Sequence, residues 1–175
     1  MKRWLAAIAL ALVAILAVYL LLVRDKSVSP TVYSPQLTAT IGSGSAAVGV
    51  SSRGAIVAFL PIREEPPLPQ LPISKVPKSG RLGGHVLEQA HVLGAAPAAL
   101  RPYLASSRYG ESGVDVELTS GIELRFGDDT QAERKWKAAV TVLADPGTTS
   151  LDYVDLQAPS RPTVGGSGHT LPELP

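Results

Sequence analysis

The stretch that decides the fold class is residues 114–126, which read VDVELTSGIELRF. Apolar and acidic side chains alternate over residues 114–118, which is the pattern of a strand with one buried face. Ser120-Gly121 is a turn signal, and a second, largely apolar segment follows over residues 122–126. The stretch therefore predicts two antiparallel strands whose apolar side chains face a common core.

The clearest helix follows directly, over residues 130–144. Thr130 and Glu133 have the spacing of a capping box, which predicts the start of the helix. Trp136 heads an apolar stripe and is expected to anchor the helix on the sheet, whereas Lys137 lies on the opposite, solvated face. The stripe consists of Ala132, Trp136, Ala139, Val140 and Leu143.

The other elements follow from the same periodicities, about 2 residues for strands and about 3.6 for helices. The pattern predicts strands over residues 36–41, 46–50, 55–60 and 151–156, helices over 82–93 and 97–104, and an extended loop over 61–77 with at most a short strand at 71–74. Strands and helices mix without a regular βαβ alternation. The predicted class is therefore α+β, a largely antiparallel sheet with two or three packed helices.

Residues 4–23 form an apolar segment without a charge, glycine or proline. A helix of this length spans roughly 30 Å, the hydrocarbon thickness of a bilayer, and no small-x-small cleavage site follows it. We therefore expect an uncleaved transmembrane anchor with the N-terminus inside and the bulk of the chain extracytoplasmic. The predicted organisation is a cytoplasmic tail at 1–3, the anchor at 4–23, a linker at 24–35, a β domain at 36–166 and a flexible tail at 167–175.

Composition excludes several classes of function. The 16 Lys+Arg against 15 Asp+Glu give a net charge of +1, which does not favour a nucleic-acid partner. The absence of cysteine excludes disulfides, thiolate metal sites and thiol nucleophiles. His85, Glu88 and His91 lie three residues apart, not at the i,i+4 spacing of a helical zinc pair, and favour a solvated polar face. We expect no catalytic residues, cofactor, metal or small-molecule substrate.

The C-terminal third resembles a known family. Its features are a strand ending in Gly127, a helix carrying Lys135, a strand with Tyr153 in a YVDL sequence, and a Val-Gly pair ending at Gly165. Upstream similarities are PQLTATI at residues 35–41, GAIV at 54–57 and PLPQLP at 67–72. Together these resemble the C-terminal β domain of the bacterial cell-division proteins FtsQ and DivIB, over roughly residues 35–166.

The chain departs from that family at three places. The family has a POTRA domain between its anchor and its β domain, where this sequence offers only residues 24–41. Gly42-Ser43-Gly44-Ser45 replaces the family's Glu-Arg-x-Pro, and Gln157 replaces the Arg that follows its Asp-Leu pair. The resemblance therefore implies a shortened or incomplete relative that lacks most of the POTRA domain.

The resemblance implies a bitopic scaffold of the divisome, enriched at the septum. It would bind coiled-coil division proteins of the FtsB/DivIC and FtsL type and help to control septal peptidoglycan synthesis. The expected mode is strand addition to an exposed edge formed by residues 151–156, with Gln157 and Ala158 as the last backbone donors. Candidate partner-binding residues are Arg108, Val154, Asp155, Leu156, Gln157, Ala158, Arg161, Val164 and Gly165.

Three alternatives stay open at this point. The first is that Val154 and Leu156 are core residues, with Pro159 and Pro162 only blocking a sheet edge. The second is that the chain is a membrane-anchored enzyme or carrier of the envelope that uses a groove beside His85 and His91. The last alternative is a truncated FtsQ-like product without function.

Overall fold

A computed structural model of the chain describes residues 36–42, 47–57, 68–73 and 75–171. All of them belong to one compact unit, Pro35–Pro175. The predicted anchor at 4–23 and linker at 24–35 lie outside the described residues. Within the described ranges, no helix is long and apolar enough to cross a membrane.

The described residues form eight strands and two α-helices. In chain order these are β1 Leu37–Ile41, β2 Val48–Ser51, β3 Ile56–Val57, α1 Gly84–Gly94, a 3₁₀ turn Arg101–Tyr103, β4 Leu104–Gly110, β5 Gly113–Leu118, β6 Glu123–Gly127, α2 Ala132–Leu143, β7 Ser150–Asp155 and β8 Thr163–Thr170. The hairpin predicted at 114–126 is confirmed as β5 and β6, and the predicted strands near 36–41 and 151–156 as β1 and β7.

The strands form two sheets, one ordered β1-β2-β3 and the other β4-β5-β6-β7-β8. All neighbours are antiparallel except β6 and β7, which are parallel because the chain crosses over through α2 between them. The α+β class with a largely antiparallel sheet and two helices is confirmed.

The segment around Gln70 connects the two sheets. Gln70 forms isolated parallel bridges with Thr40 of β1 and Ser106 of β4. The Thr40 N–H donates to the Pro69 carbonyl at 2.9 Å, and the Leu71 N–H donates back to the Thr40 carbonyl at 2.9 Å. Gln70 therefore pairs with the outer side of β4. It lies in the loop predicted at 61–77, one residue before the short strand expected at 71–74.

Both helices pack on the core side of the strands. Trp136 of α2 is fully buried, its ring centroid lies 4.8 Å from that of Phe126 in β6, and its indole N–H donates to the Val92 carbonyl of α1 at 2.7 Å. The indole thus joins both helices to the sheet, which confirms its predicted anchoring position, and Lys137 is exposed as expected.

The predicted capping box of α2 is wrong. The helix begins at Ala132, and Gln131 precedes it in the left-handed conformation (φ 53°) without a side-chain cap. The Thr130 hydroxyl instead donates to the Asp128 carboxylate at 2.6 Å, as does its N–H at 3.1 Å. The Asp128 side chain accepts the Thr130 groups, so the hydroxyl is not used to cap the helix.

Two strands were not predicted. The short helix expected at 97–104 is a 3₁₀ turn, and the chain then enters β4, whose sequence LASSRYG lacks an apolar alternation. Residues 151–156 are predicted as the last strand, but β8 follows with the glycine-rich sequence TVGGSGHT. It extends to Thr170, past the predicted end of the β domain at 166.

Candidate functional site

The outer side of β8 is the free edge of the five-stranded sheet. β8 pairs with β7 on one side, and no strand of the described residues pairs with it on the other. This differs from the prediction that the strand at 151–156 is the edge, because β7 lies between β6 and β8. A free edge presents unpaired main-chain donors and acceptors to an incoming strand.

The hydrogen bonds of β7 establish which of its main-chain groups face β8. The Leu156 N–H, directly after β7, donates to the Arg125 carbonyl of β6 at 2.8 Å. Because main-chain groups alternate in direction along a strand, those of Val154 also face β6. Those of Tyr153 and Asp155 therefore face β8.

The same alternation identifies the free groups of β8. Gly165 and Thr163 are the register partners of Tyr153 and Asp155, so their main-chain groups point back to β7. The N–H and the carbonyl of Val164 consequently point outward. Val164 is the first outward donor of the strand, because Pro162 has no N–H.

Val164 also exposes apolar surface at this edge. Its side chain is 48% exposed, whereas that of Val154, its direct register partner in β7, is 0% exposed. Directly opposed residues of neighbouring strands place their side chains on the same face. Val164 therefore extends the apolar core face to the free edge, where a further strand would cover it.

On the open face of the sheet, Tyr153 lies against Gly165. A Cβ atom at Gly165 would lie 2.6 Å from the ring and hydroxyl atoms of Tyr153, so only glycine fits beneath the ring. The guanidinium carbon of Arg125 lies 3.9 Å from the ring centroid, a cation–π distance. The Tyr153 ring thus holds β8 in place from the open face.

Arg108 lies far from this edge in strand order, on β4, and it is ion-paired. Its guanidinium lies 3.4 Å from the Asp115 carboxylate and also binds Glu123, which binds Arg125 in turn. Burial and the charge of Glu123 raise the pKa of Asp115. Burial alone would raise the pKa of Glu123, but hydrogen bonds from Arg125 and Arg108 outweigh it and lower the pKa. Arg108 is therefore not grouped with the other candidate residues.

The remaining candidates divide between core and loop. Val154 and Leu156 are both 0% exposed, which confirms the alternative that they are core residues. The Gln157 N–H donates to the Asp155 carboxylate at 2.9 Å, so it is a local turn donor and not an edge donor. Ala158 and Arg161 are exposed in the same β7–β8 loop, and the Arg161 N–H donates to the Ala158 carbonyl at 2.9 Å.

A polar groove lies beside this loop. It has a volume of about 380 Å³, and its lining includes Gln157, Gly127, Asp128 and Lys135. The Lys135 side chain is 3% exposed, and its ammonium group donates to the Asp128 carboxylate at 2.6 Å and to the Asp128 carbonyl at 3.0 Å. Hydrogen bonds from Lys135 and then Thr130 lower the pKa of Asp128. The burial of Lys135 has no signal in the sequence, because a helix lysine is ordinarily solvated.

The two helix histidines have separate partners. The His85 ring stacks on that of Tyr109 with 3.8 Å between centroids, and the His91 Nδ1 lies 2.6 Å from the Asp129 carboxylate. In the part of the chain that the structure describes, no three His, Cys, Asp or Glu side chains converge on a possible metal position. These contacts hold α1 against β4 and against the loop before α2.

Comparison with protein families identifies a match over most of the described domain. A family model described as the C-terminal region of the cell division protein FtsQ/DivIB matches residues 42–157. The matched range includes β2 to β7 and ends before β8. A search of curated proteins found no match to the chain.

Proposed function

The chain belongs to the FtsQ/DivIB family of cell-division proteins, and from this premise we propose that it is a bitopic membrane scaffold of the divisome. In this proposal, residues 4–23 anchor the chain in the cell membrane with its N-terminus inside. The extracytoplasmic domain binds coiled-coil division proteins of the FtsB/DivIC and FtsL type at the septum. Through these contacts it helps to control septal peptidoglycan synthesis.

The observation that carries the binding proposal is the outer edge of β8. Val164 directs an N–H and a carbonyl outward and exposes 48% of its side chain at the same position. Soluble domains commonly protect such an edge with charge, proline or a covering segment. A partner strand would satisfy the main-chain groups and cover the apolar side chain together.

The β7–β8 loop is the second part of the proposed surface. Gln157, Ala158 and Arg161 are exposed there, next to the start of β8. A segment that adds to β8 at Val164 would pass close to this loop. Arg108 contributes in this proposal only if the partner also crosses the open face to β4.

The experiment that tests the binding proposal is co-purification with the FtsB/DivIC-type and FtsL-type proteins of the same organism. Val164→Pro removes the outward N–H while leaving the β7–β8 hydrogen bonds of Thr163 and Gly165 available. We expect co-purification to fall at least about tenfold, since a main-chain hydrogen bond and the fit of the strand are both lost.

Val164→Thr is the matched control, because it keeps the N–H and the branched shape. It should retain most of the partner, and a thermal melt of both variants reports whether the domain still folds. Equal co-purification of Val164→Pro and the parent chain would contradict binding at β8. Absence of both partners from the parent preparation would contradict the proposed scaffold function itself.

The membrane part is tested separately with a reporter fused after Pro175 that is active only when exported. An active fusion on an uncleaved chain supports the anchor with the N-terminus inside. A reporter pattern typical of cytoplasmic fusions, or a mature N-terminus beyond Val23, would contradict it.

A further inference from the structure

β8 does not offer a continuous edge, because a bulge interrupts it after Gly165. Leu151 pairs with His169 and Tyr153 pairs with Gly165, so three residues of β8 stand opposite Asp152 alone. Those three residues are Gly166, Ser167 and Gly168. A bulge of this kind bends the strand and interrupts the regular ladder.

The Asp152 carboxylate occupies the bulge. Its Oδ1 accepts the Gly168 N–H at 2.6 Å, a charge-assisted hydrogen bond within the interrupted part of the ladder. Gly166 has a φ of +79°, which favours glycine, and a Cβ atom there would collide with the same carboxylate. A Cβ atom at Gly168 would lie 2.6 Å from Oδ1. The two glycines thus leave the space that the Asp152 side chain fills.

The bulge separates the outward-facing groups of β8. Val164 is the outward position before it. After the bulge, the Leu171 N–H donates to the Thr149 carbonyl at 3.3 Å. The next outward N–H is therefore that of Thr170, because Asp152 binds the Gly168 N–H. The regular part of the edge before the bulge is Thr163–Gly165, about 10 Å long at the usual rise of a strand. A second, shorter part follows the bulge at His169–Thr170.

We propose that Asp152 sets the register and length of strand addition, because its carboxylate fixes the Gly166–Gly168 bulge, where pairing with a partner strand ends. We call this end point the stop. The inference rests on the proposed partner binding at β8 and specifies the partner. The partner segment that fits is a three-residue extended stretch that leaves the plane of the sheet opposite Gly166. The same stop prevents two copies of this chain from pairing along their full β8 edges.

The first test needs no partner and compares Asp152→Ala with Asp145→Ala in the full chain, purified in a mild detergent. Asp145 is a matched control, because its exposed carboxylate also accepts a local N–H, that of Gly147 at 2.9 Å. We expect Asp152→Ala to speed amide exchange of Gly168 at least about tenfold, and Asp145→Ala to leave it unchanged. Sedimentation velocity should show concentration-dependent self-association for Asp152→Ala only.

Asp152→Asn is a second variant that keeps an acceptor oxygen without the charge. It should give an intermediate exchange rate and a monomer like the parent chain. If Gly168 exchange and sedimentation of Asp152→Ala match those of the parent, Asp152 does not fix a stop and the inference is overturned.

The second test uses the proposed partner. In the parent chain, bound partner should protect the Val164 amide and leave that of Thr170 unprotected, whereas in Asp152→Ala protection should extend to Thr170. Protection of Thr170 already in the parent chain overturns the stop. A partner that protects neither amide contradicts the proposed binding site, while the first test still decides the role of Asp152.

Discussion

β7 and β8 are neighbours in the same sheet, yet β7 is an interior strand and β8 is an edge strand. β7 is paired on both sides and buries Val154, whereas β8 is paired on one side and exposes Val164 directly opposite. The YVDL sequence that resembles the family lies in and directly after β7, inside the matched range, and β8 lies beyond it. The YVDL residues therefore build the interior of the sheet, and the strand they support, which contains the Val164-Gly165 pair of the same resemblance, carries the free edge.

The largest expected effect is a loss of stability on substitution of a buried core residue, Trp136. Trp136→Ala should lower the free energy of unfolding by about 3–5 kcal/mol, because it removes a fully buried ring packed on Phe126 and its hydrogen bond to Val92. Lys137→Ala, one residue further on the exposed face, should change it by no more than about 0.5 kcal/mol. Denaturant unfolding of both variants checks this, and similar losses would show that the helix is rotated.

The next prediction compares the two opposed valines directly. Val154→Ala should cost about 2 kcal/mol of stability, because it opens a cavity at a fully buried position. Val164→Ala should change stability by less than about 0.5 kcal/mol but weaken partner binding. Unfolding and co-purification, measured on the same two variants, separate the effects. A larger stability loss at Val164 than at Val154 would reverse the assignment of core and edge.

The smallest stability effect concerns the loop before α2, which lines the groove beside Gln157. The pKa of Asp128 is lowered from its ordinary value of 3.8 by hydrogen bonds from Lys135 and Thr130. A lowered carboxyl pKa contributes stability above the unfolded value, and this is lost as pH falls through the folded value. The parent chain should therefore lose stability below about pH 4 more steeply than Asp128→Asn.

Asp145→Asn is the control for that comparison, since it removes another exposed carboxylate far from Lys135. Its acid unfolding profile should follow that of the parent chain. If Asp128→Asn also follows the parent, the Lys135 bond does not contribute to stability at acidic pH.

The difference between β7 and β8 also explains which strands could be predicted from the sequence and which could not. β5 and the core side of α2 carry apolar side chains at regular intervals, so their periodicity predicts them. β7 buries Leu151 and Val154, three residues apart, and its apolar and aromatic content predicts it instead. β8 has the sequence TVGGSGHT, and its position depends on Tyr153 packing over Gly165 and on Asp152 filling the bulge. Such contacts between strands have no local signature.

β4 and Lys135 were missed for related reasons. The LASSRYG sequence of β4 has low apolar content, and its strand conformation depends on pairing with β5 and on the bridge from Ser106 to Gln70. Lys135 is buried because Asp128 binds it, and a lysine in a helix is expected to be solvated when only its own periodicity is considered. The free edge at β8 is therefore identified by the pairing of the strands and not by a sequence pattern.

The most direct test of the account is residue-by-residue amide exchange in the full chain, with and without the FtsB/DivIC-type and FtsL-type partners. In the free protein, the outward Val164 amide should exchange fast, and the Gly165 amide, directed to β7, slowly. Binding should slow Val164 exchange at least about tenfold and leave Gly165 nearly unchanged. A stable complex in which Val164 exchanges as fast as in the free protein would contradict strand addition at β8.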